Sequence, residues 1–144
     1  MQIVDSSLTV LSNTIIDTIF DTMNCMRVGK IVTFNSSQLT CEVQIQDKWQ
    51  QQDGTLIDFP LLVDVPCLQF SGAGGGIDVP ISEGDTGILL FNDRNIDKWW
   101  STNTVQKASV YRCHSFNDAI FIVGIRSLKN LINGYSTNAT RVIS

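Results

Sequence analysis

The hydrophobic period of this chain changes once, near residue 25. In "SLTVLSNTIIDTIFDTMN", residues 7–24, Leu8, Leu11, Ile15, Ile19 and Met23 recur at intervals of three and four, and Val10, Ile16 and Phe20 widen the stripe. That spacing gathers apolar side chains on one side of an α-helix, with Ser6 or Ser7 available as its N-cap. From Met26 the period is two. "MRVGKIVTF" and "QLTCEVQIQ" alternate apolar with polar residues across the turn "NSSQ", which is the pattern of an antiparallel hairpin with one wet face. A helix placed ahead of such strands can bury its stripe on its own sheet or on a partner. The sequence leaves both outcomes open.

Later segments keep the strand character but shorten it. "GTLIDFPLLVDVPCLQF" carries Pro60 and Pro66, so it is expected to be broken or to lie at a sheet edge. "SGAGGG" reads as a loop leading into a short strand "IDVPIS", and "EGD" as a turn before the strand "TGILLF". A helical turn fits "NIDKWWS", "DAIFIVGI" is the last clear strand, and the tail reads as a short helix followed by an extended piece. One helix and five or six short strands predict a mainly β fold, a small antiparallel barrel of the OB type with an N-terminal amphipathic helix. The expected organisation is a helix over 1–25, a barrel domain over 26–126 and a C-terminal tail over 127–144, which reads as the start or stub of an extension.

The chain is long enough for one domain with a sizeable core. Its net charge of −4 lacks the basic field with which a nucleic-acid binder collects phosphates. A charged fraction of 17% is low, which suits a surface covered in part by other proteins. No basic segment opens the chain, so it is not read as carrying a secretory signal, and no apolar run approaches the roughly 18–20 residues that span a bilayer. Cys25, Cys41, Cys67 and Cys113 form no C-x-x-C pair and have a single histidine, His114, to join them. They are read as reduced, buried core thiols in preference to disulfides or metal ligands.

Several arrangements offer the parts of a chemistry without its spacing. The glycines of "SGAGGGIDVP" lack the G-K-[ST] sequence and following helix of a phosphate cradle, and read as a turn. Asp93, Asp97 and Asp118 would serve glycan cleavage only if two carboxylates faced each other across a cleft; read locally, Arg94 pairs with Asp97 and Arg112 with Asp118 at the solvated corners of strands. His114, Ser115 and Asp118 hold the side chains of a hydrolytic triad, yet "CHSFND" has no glycine-flanked serine on a sharp elbow, so His114 is expected to be structural. Trp99 and Trp100, with Phe70 and Phe91, could stack bases on a barrel. Without interleaved Lys and Arg they read better as plugs of the barrel end or anchors at a subunit interface. No catalytic, cofactor-binding or metal-binding residue is expected.

The order of the segments carries a resemblance. "LVDVP" at 62–66 is followed by a glycine-rich loop, then "PISEGDTGILLF" at 80–91, "DRNIDKW" at 93–99 and "RCHSFNDAIFIVG" at 112–124. Over about residues 8–126 this succession resembles the N-terminal OB-fold domain of the central-spike, membrane-puncturing baseplate proteins of contractile-tail bacteriophages. The resemblance implies a structural virion protein of the tail baseplate, assembled in the host cytoplasm and working as a homotrimer on the tail axis. It would link tail hub and tube proteins to the tip that penetrates the host membrane, touching that membrane only through the tip and binding no nucleic acid or cofactor. It also implies that Val65, Pro66, Gly84, Asp85, Gly87, Arg94, Asp97, Trp99, Arg112, His114, Ser115 and Asp118 determine the fold or the subunit interface, with Trp100 beside them. Spike proteins of this kind continue into a triple-stranded β-helix and a tip, whereas here about eighteen residues follow "IFIVGI". The tip is therefore expected on a separate polypeptide or outside the segment in hand, unless the chain is a truncated relative. Two other functions remain as alternatives: a single-stranded nucleic-acid-binding barrel and a tail-associated cell-wall hydrolase. A tailocin or related contractile machine is an alternative setting for the same part.

Overall fold

A computed structural model describes residues 2–107 and 110–143, with side chains described from Ser6 onward. Helix α1 (Gln2–Thr22) is continuous and starts earlier than its sequence signals indicate. Ser6 and Ser7 lie inside it and are not its cap, because no Gly or Pro in the preceding residues stops the helix. Thr14, Thr18 and Thr22 donate their hydroxyls to the carbonyls of Val10, Thr14 and Thr18 at 2.7–2.8 Å.

The chain then builds a curled antiparallel sheet. Strands β1 (Met26–Asn35) and β2 (Thr40–Ile45) form the expected hairpin. Two short strands follow, β3 (Lys48–Gln50) and β4 (Leu56–Asp58), paired only with each other. Next comes β5 (Leu62–Pro66), ended by its proline and lying at a sheet edge, as Pro60 and Pro66 predict. Strands β6 (Phe70–Gly72) and β7 (Gly75–Ile77) make a small hairpin through the glycine loop. Strands β8 (Thr86–Phe91) and β9 (Ala119–Val123) complete the main sheet, whose order is β5-β2-β1-β8-β9. The two edges approach each other at one point, where Cys67 bridges Phe121 of β9 and the Leu68 N–H donates to the Phe121 carbonyl at 2.9 Å. The result is a half-barrel of OB-like character, joined at its seam by a single bridge.

Alternation places Ile31, Cys41, Val43, Ile45, Leu62, Val65, Leu89, Phe91, Ala119 and Phe121 on the inner face, all buried. The tightest part of this core rests on two glycines. Gly29 and Gly87 are opposite each other on β1 and β8, and Gly87 is also opposite Val123 on β9. A Cβ on Gly29 would lie 2.5 Å from Val43 Cγ1, and one on Gly87 would lie 2.1 Å from the Ile122 carbonyl oxygen and 2.8 Å from Phe121 Cζ. The space their missing side chains leave is taken by the Phe121 ring, which is wholly buried. Burying such a ring contributes roughly 1.5–3 kcal/mol. A register shift between Ile31 and Thr33 adds a bulge to β1, which helps the sheet curl.

The structure departs from the sequence expectations in three further places. "IDVPIS" is not a strand beyond Ile77; the glycines instead turn the chain back within 70–77. The β3–β4 hairpin was not expected, because its three-residue strands are exposed and carry no alternation. The tail holds one 3-10 turn, Leu128–Asn130, and is otherwise irregular.

Candidate functional site

The corner between β8 and β9 collects most of the singled-out residues. On leaving β8, Asn92 donates both its backbone N–H (3.0 Å) and its Nδ2 (2.7 Å) to the Asp118 carbonyl. Helix α2 (Asp97–Thr102) follows, and its leading residue, Ile96, supplies no side-chain cap. The cap comes from 22 residues away: Asp118 Oδ1 accepts the Ile96 N–H at 3.1 Å. The Asp118 side chain is completely buried, and its charge is met by Arg112, which donates Nε to Oδ2 (2.9 Å) and Nη2 to Oδ1 (2.8 Å). A two-point pair of this kind satisfies a buried carboxylate and fixes its orientation.

Arg112 also reaches Asp97 Oδ2 at 3.0 Å, so one guanidinium ties α2 to the start of β9. Asn95 braces Asp97 from the other side, donating Nδ2 at 2.9 Å and accepting the Asp97 N–H at 3.3 Å. The Asn95 hydrogen bond chiefly holds the Asp97 carboxyl below its ordinary range against the opposing effect of desolvation, with the hydrogen bond and charge of Arg112 adding to it. The bond to Asp118, followed by the charges of Asp118 and Asp97, pushes the Arg112 guanidinium further up.

The expected Arg94–Asp97 pair is not formed. Asp97 is taken by Arg112, while Arg94 lies against the Cys113 sulfur and over the Tyr111 ring, 5.0 Å from its centroid. His114 is a hydrogen-bonded joint. It sits at φ +47°, its Nδ1 donates to the Asn24 carbonyl at 3.0 Å, and its own carbonyl accepts from Asn24 Nδ2 at 3.3 Å. These bonds fasten the exit of α1 to the corner. Ser115 Oγ accepts the Asn117 N–H at 3.3 Å and caps the 3-10 turn Phe116–Asp118. His114, Ser115 and Asp118 therefore point to three different partners and make no relay. Asp93 faces His114 Nε2 at 3.7 Å and is otherwise open to solvent.

Trp99 and Trp100 are not plugs. Each is about half exposed, with ring centroids 6.4 Å apart. With Leu39, Pro66, Leu68 and Ile120 they line an apolar groove of about 380 Å³ beside the barrel seam. The barrel interior beneath the corner is instead filled by Phe116, which meets Phe91 and Phe59 edge-on at 5.5 and 5.7 Å.

A second apolar surface lies on α1. Every described side chain of the helix is exposed, including Leu8, Leu11, Ile15, Ile16, Ile19 and Phe20. The helix lays no face on the sheet; near its end Thr18, Asp21 and Thr22 border a shallow hollow with Trp49 and Gln50. Of the cysteines, Cys41 and Cys67 are buried as expected, but Cys25 and Cys113 are exposed. Both lie outside the strand alternation that turns side chains inward. Among the described residues no group of three His, Cys, Asp or Glu side chains converges as a metal-ligand set.

Sequence reasoning missed the brace from Asn95, the Asn24 contact of His114, and the cluster in which Arg27 pairs with Asp47 at 2.5 Å and covers the Phe59 ring at 4.3 Å. Only Asn95 left a signal, as an Asn two residues before Asp97 at a helix start.

Comparison with curated proteins finds no match. A protein-family model, the N-terminal domain of phage protein Gp138, matches residues 28–124, about two thirds of the chain. The matched span takes in nearly all of β1, the other four strands of the main sheet and the whole Arg112–Asp118 corner, and leaves α1 and the tail outside. The chain belongs to the family of the phage protein Gp138 N-terminal domain.

Proposed function

We propose that this chain is a structural part of a phage tail baseplate, the OB-type domain of a trimeric central spike or hub. In this reading it links the hub and tube above to a membrane-piercing tip below and catalyses no reaction. The observation that carries the proposal is α1, a 21-residue helix with a broad apolar surface, whose described side chains are all left exposed by its own domain. Apolar area of that extent costs free energy in water unless another protein covers it. Membership of a phage protein family supports a virion protein as the bearer of that surface. The half-exposed Trp99–Trp100 pair at a braced corner is a fitting anchor between neighbouring copies. The network around Asp118 suits a part that transmits force once, because it fixes the corner with interactions that need no rearrangement.

Light scattering coupled to gel filtration at micromolar concentration tests the assembly. The expected mass is three times the 16.0 kDa protomer, and the double change Trp99→Ala, Trp100→Ala should shift it toward one. A monodisperse wild-type monomer overturns the trimer. Clearance of cell-wall suspensions by the purified protein would overturn the non-enzymatic role.

A further inference from the structure

Cys41 is the second residue of β2, and Cys67 directly follows β5. The two strands pair Thr40 with Pro66 and Cys41 with Val65, and the Cys67 N–H donates to the Leu39 carbonyl at 2.9 Å. The cysteines are thus diagonal neighbours on the inner face of an antiparallel pair, close enough for side-chain contact. Both are buried, and their sulfurs are 3.0 Å apart in a thiol–thiol hydrogen bond. A disulfide needs about 2.05 Å, so the sulfurs have about 1 Å to close. Cys67 is also the residue that bridges Phe121 where the sheet edges meet. A bond from Cys67 to Cys41 would fasten the seam covalently to the sheet interior. Cys67 also borders the apolar groove with Trp99, Trp100 and Ile120, whereas Cys41 is absent from the groove's lining.

We propose that Cys41 and Cys67 form a redox pair that closes to an intrachain disulfide when the protein meets a small-molecule disulfide such as oxidised glutathione. The Cys67 thiolate attacks one sulfur of the oxidant, whose S–S bond breaks and releases one glutathione thiolate. Cys41 then loses its proton to solvent base and attacks the Cys67 sulfur, forming the Cys41–Cys67 bond and expelling the second glutathione thiolate. Two protein thiols are oxidised and one small disulfide is reduced to two thiols. The roles follow from position, since Cys67 borders the groove and Cys41 does not, and the hydrogen bond between the sulfurs acts in the same sense. It pulls the Cys67 thiol down, against the opposing effect of burial, and together with burial it pushes Cys41 up. The first step removes the partner that raises Cys41, which frees Cys41 to act second.

The test treats the full chain with oxidised glutathione at mildly alkaline pH, alkylates remaining thiols after unfolding, and maps the peptides by mass spectrometry. The expected product is a Cys41–Cys67 linked peptide pair, with Cys25 and Cys113 left alkylated or glutathionylated and the link reversed by dithiothreitol. The oxidised protein should melt several degrees above the reduced one. Cys41→Ala should leave glutathione trapped on Cys67. Recovery of both Cys41 and Cys67 as free thiols from wild-type protein whose Cys25 and Cys113 have reacted overturns the proposal, and so does a link that joins either of them to another cysteine instead.

Discussion

The half-barrel and α1 are rich in the same kind of residue and use it in opposite ways. In the barrel, Ile31, Val43, Leu89 and Phe121 are sealed so closely that two glycines must stand where any side chain would collide. In α1, Leu11, Ile15, Ile19 and Phe20 are exposed along a helix that rests on nothing of its own. The barrel's apolar residues are therefore matched to partners within the chain, whereas the described side chains of the helix are left uncovered by it. Stability of the isolated protein should reside almost wholly in the first region.

The sharpest way to break that contrast is Gly87→Ala. The added methyl meets a backbone carbonyl of β9, which cannot swing aside as a side chain can. Overpacking usually costs about 1–3 kcal/mol. Here the clash is with backbone, so a loss of about 4 kcal/mol, or failure to fold, is expected in urea unfolding followed by tryptophan fluorescence. A loss below about 1 kcal/mol would mean that β8 and β9 are less tightly apposed than described. Next in size is Asp118→Asn. It weakens the two-point pair with Arg112 and leaves that cation facing a neutral amide, at a cost of about 3 kcal/mol. The α2 cap weakens with it, so the near-ultraviolet circular dichroism of Trp99 and Trp100 should change together with stability.

Residue spacing predicted more of the barrel than of its attachments. The period of two in "MRVGKIVTF" and the apolar run "TGILLF" identified two strands from short-range spacing alone, but not their inward face: Ile31, Leu89 and Phe91 are buried while Val28, Val32 and Leu90 are exposed. The Arg112–Asp118 pair was readable for a similar reason, six residues apart across one turn. Arg112–Asp97 was not, since which arginine takes Asp97 depends on where the buried Asp118 holds the guanidinium. Nor did the sequence separate the two outlets for the helix, because an amphipathic stripe looks the same whether its cover is its own sheet or another chain.

Changing the helix should therefore do little to the isolated fold. Leu11→Gln with Ile15→Gln keeps good helix formers while removing two exposed apolar side chains. Unfolding of the barrel should shift by less than about 0.5 kcal/mol. Were the helix packed on its own sheet, deletions of this kind would cost about 2–5 kcal/mol each. A large loss would erase the distinction between the two regions.

The smallest expected effect lies at the corner, between these extremes. Asp97 has its carboxyl lowered by Asn95 and Arg112, yet more than half of its side chain is in water. A group with a lowered folded pKa stabilises the fold above its unfolded value, near 3.8 for this carboxyl, and that contribution disappears as pH falls through the folded value. Exposure screens the interaction, so its worth is under about 0.5 kcal/mol. Urea midpoints of wild type and Asp97→Asn, measured from pH 7 to pH 3, should differ slightly and by a constant amount down to about pH 4. Below that they should converge, because the wild type loses by protonation what the variant never had. A gap that widens in acid would place the lowered carboxylate elsewhere, leaving Arg112 serving Asp118 alone.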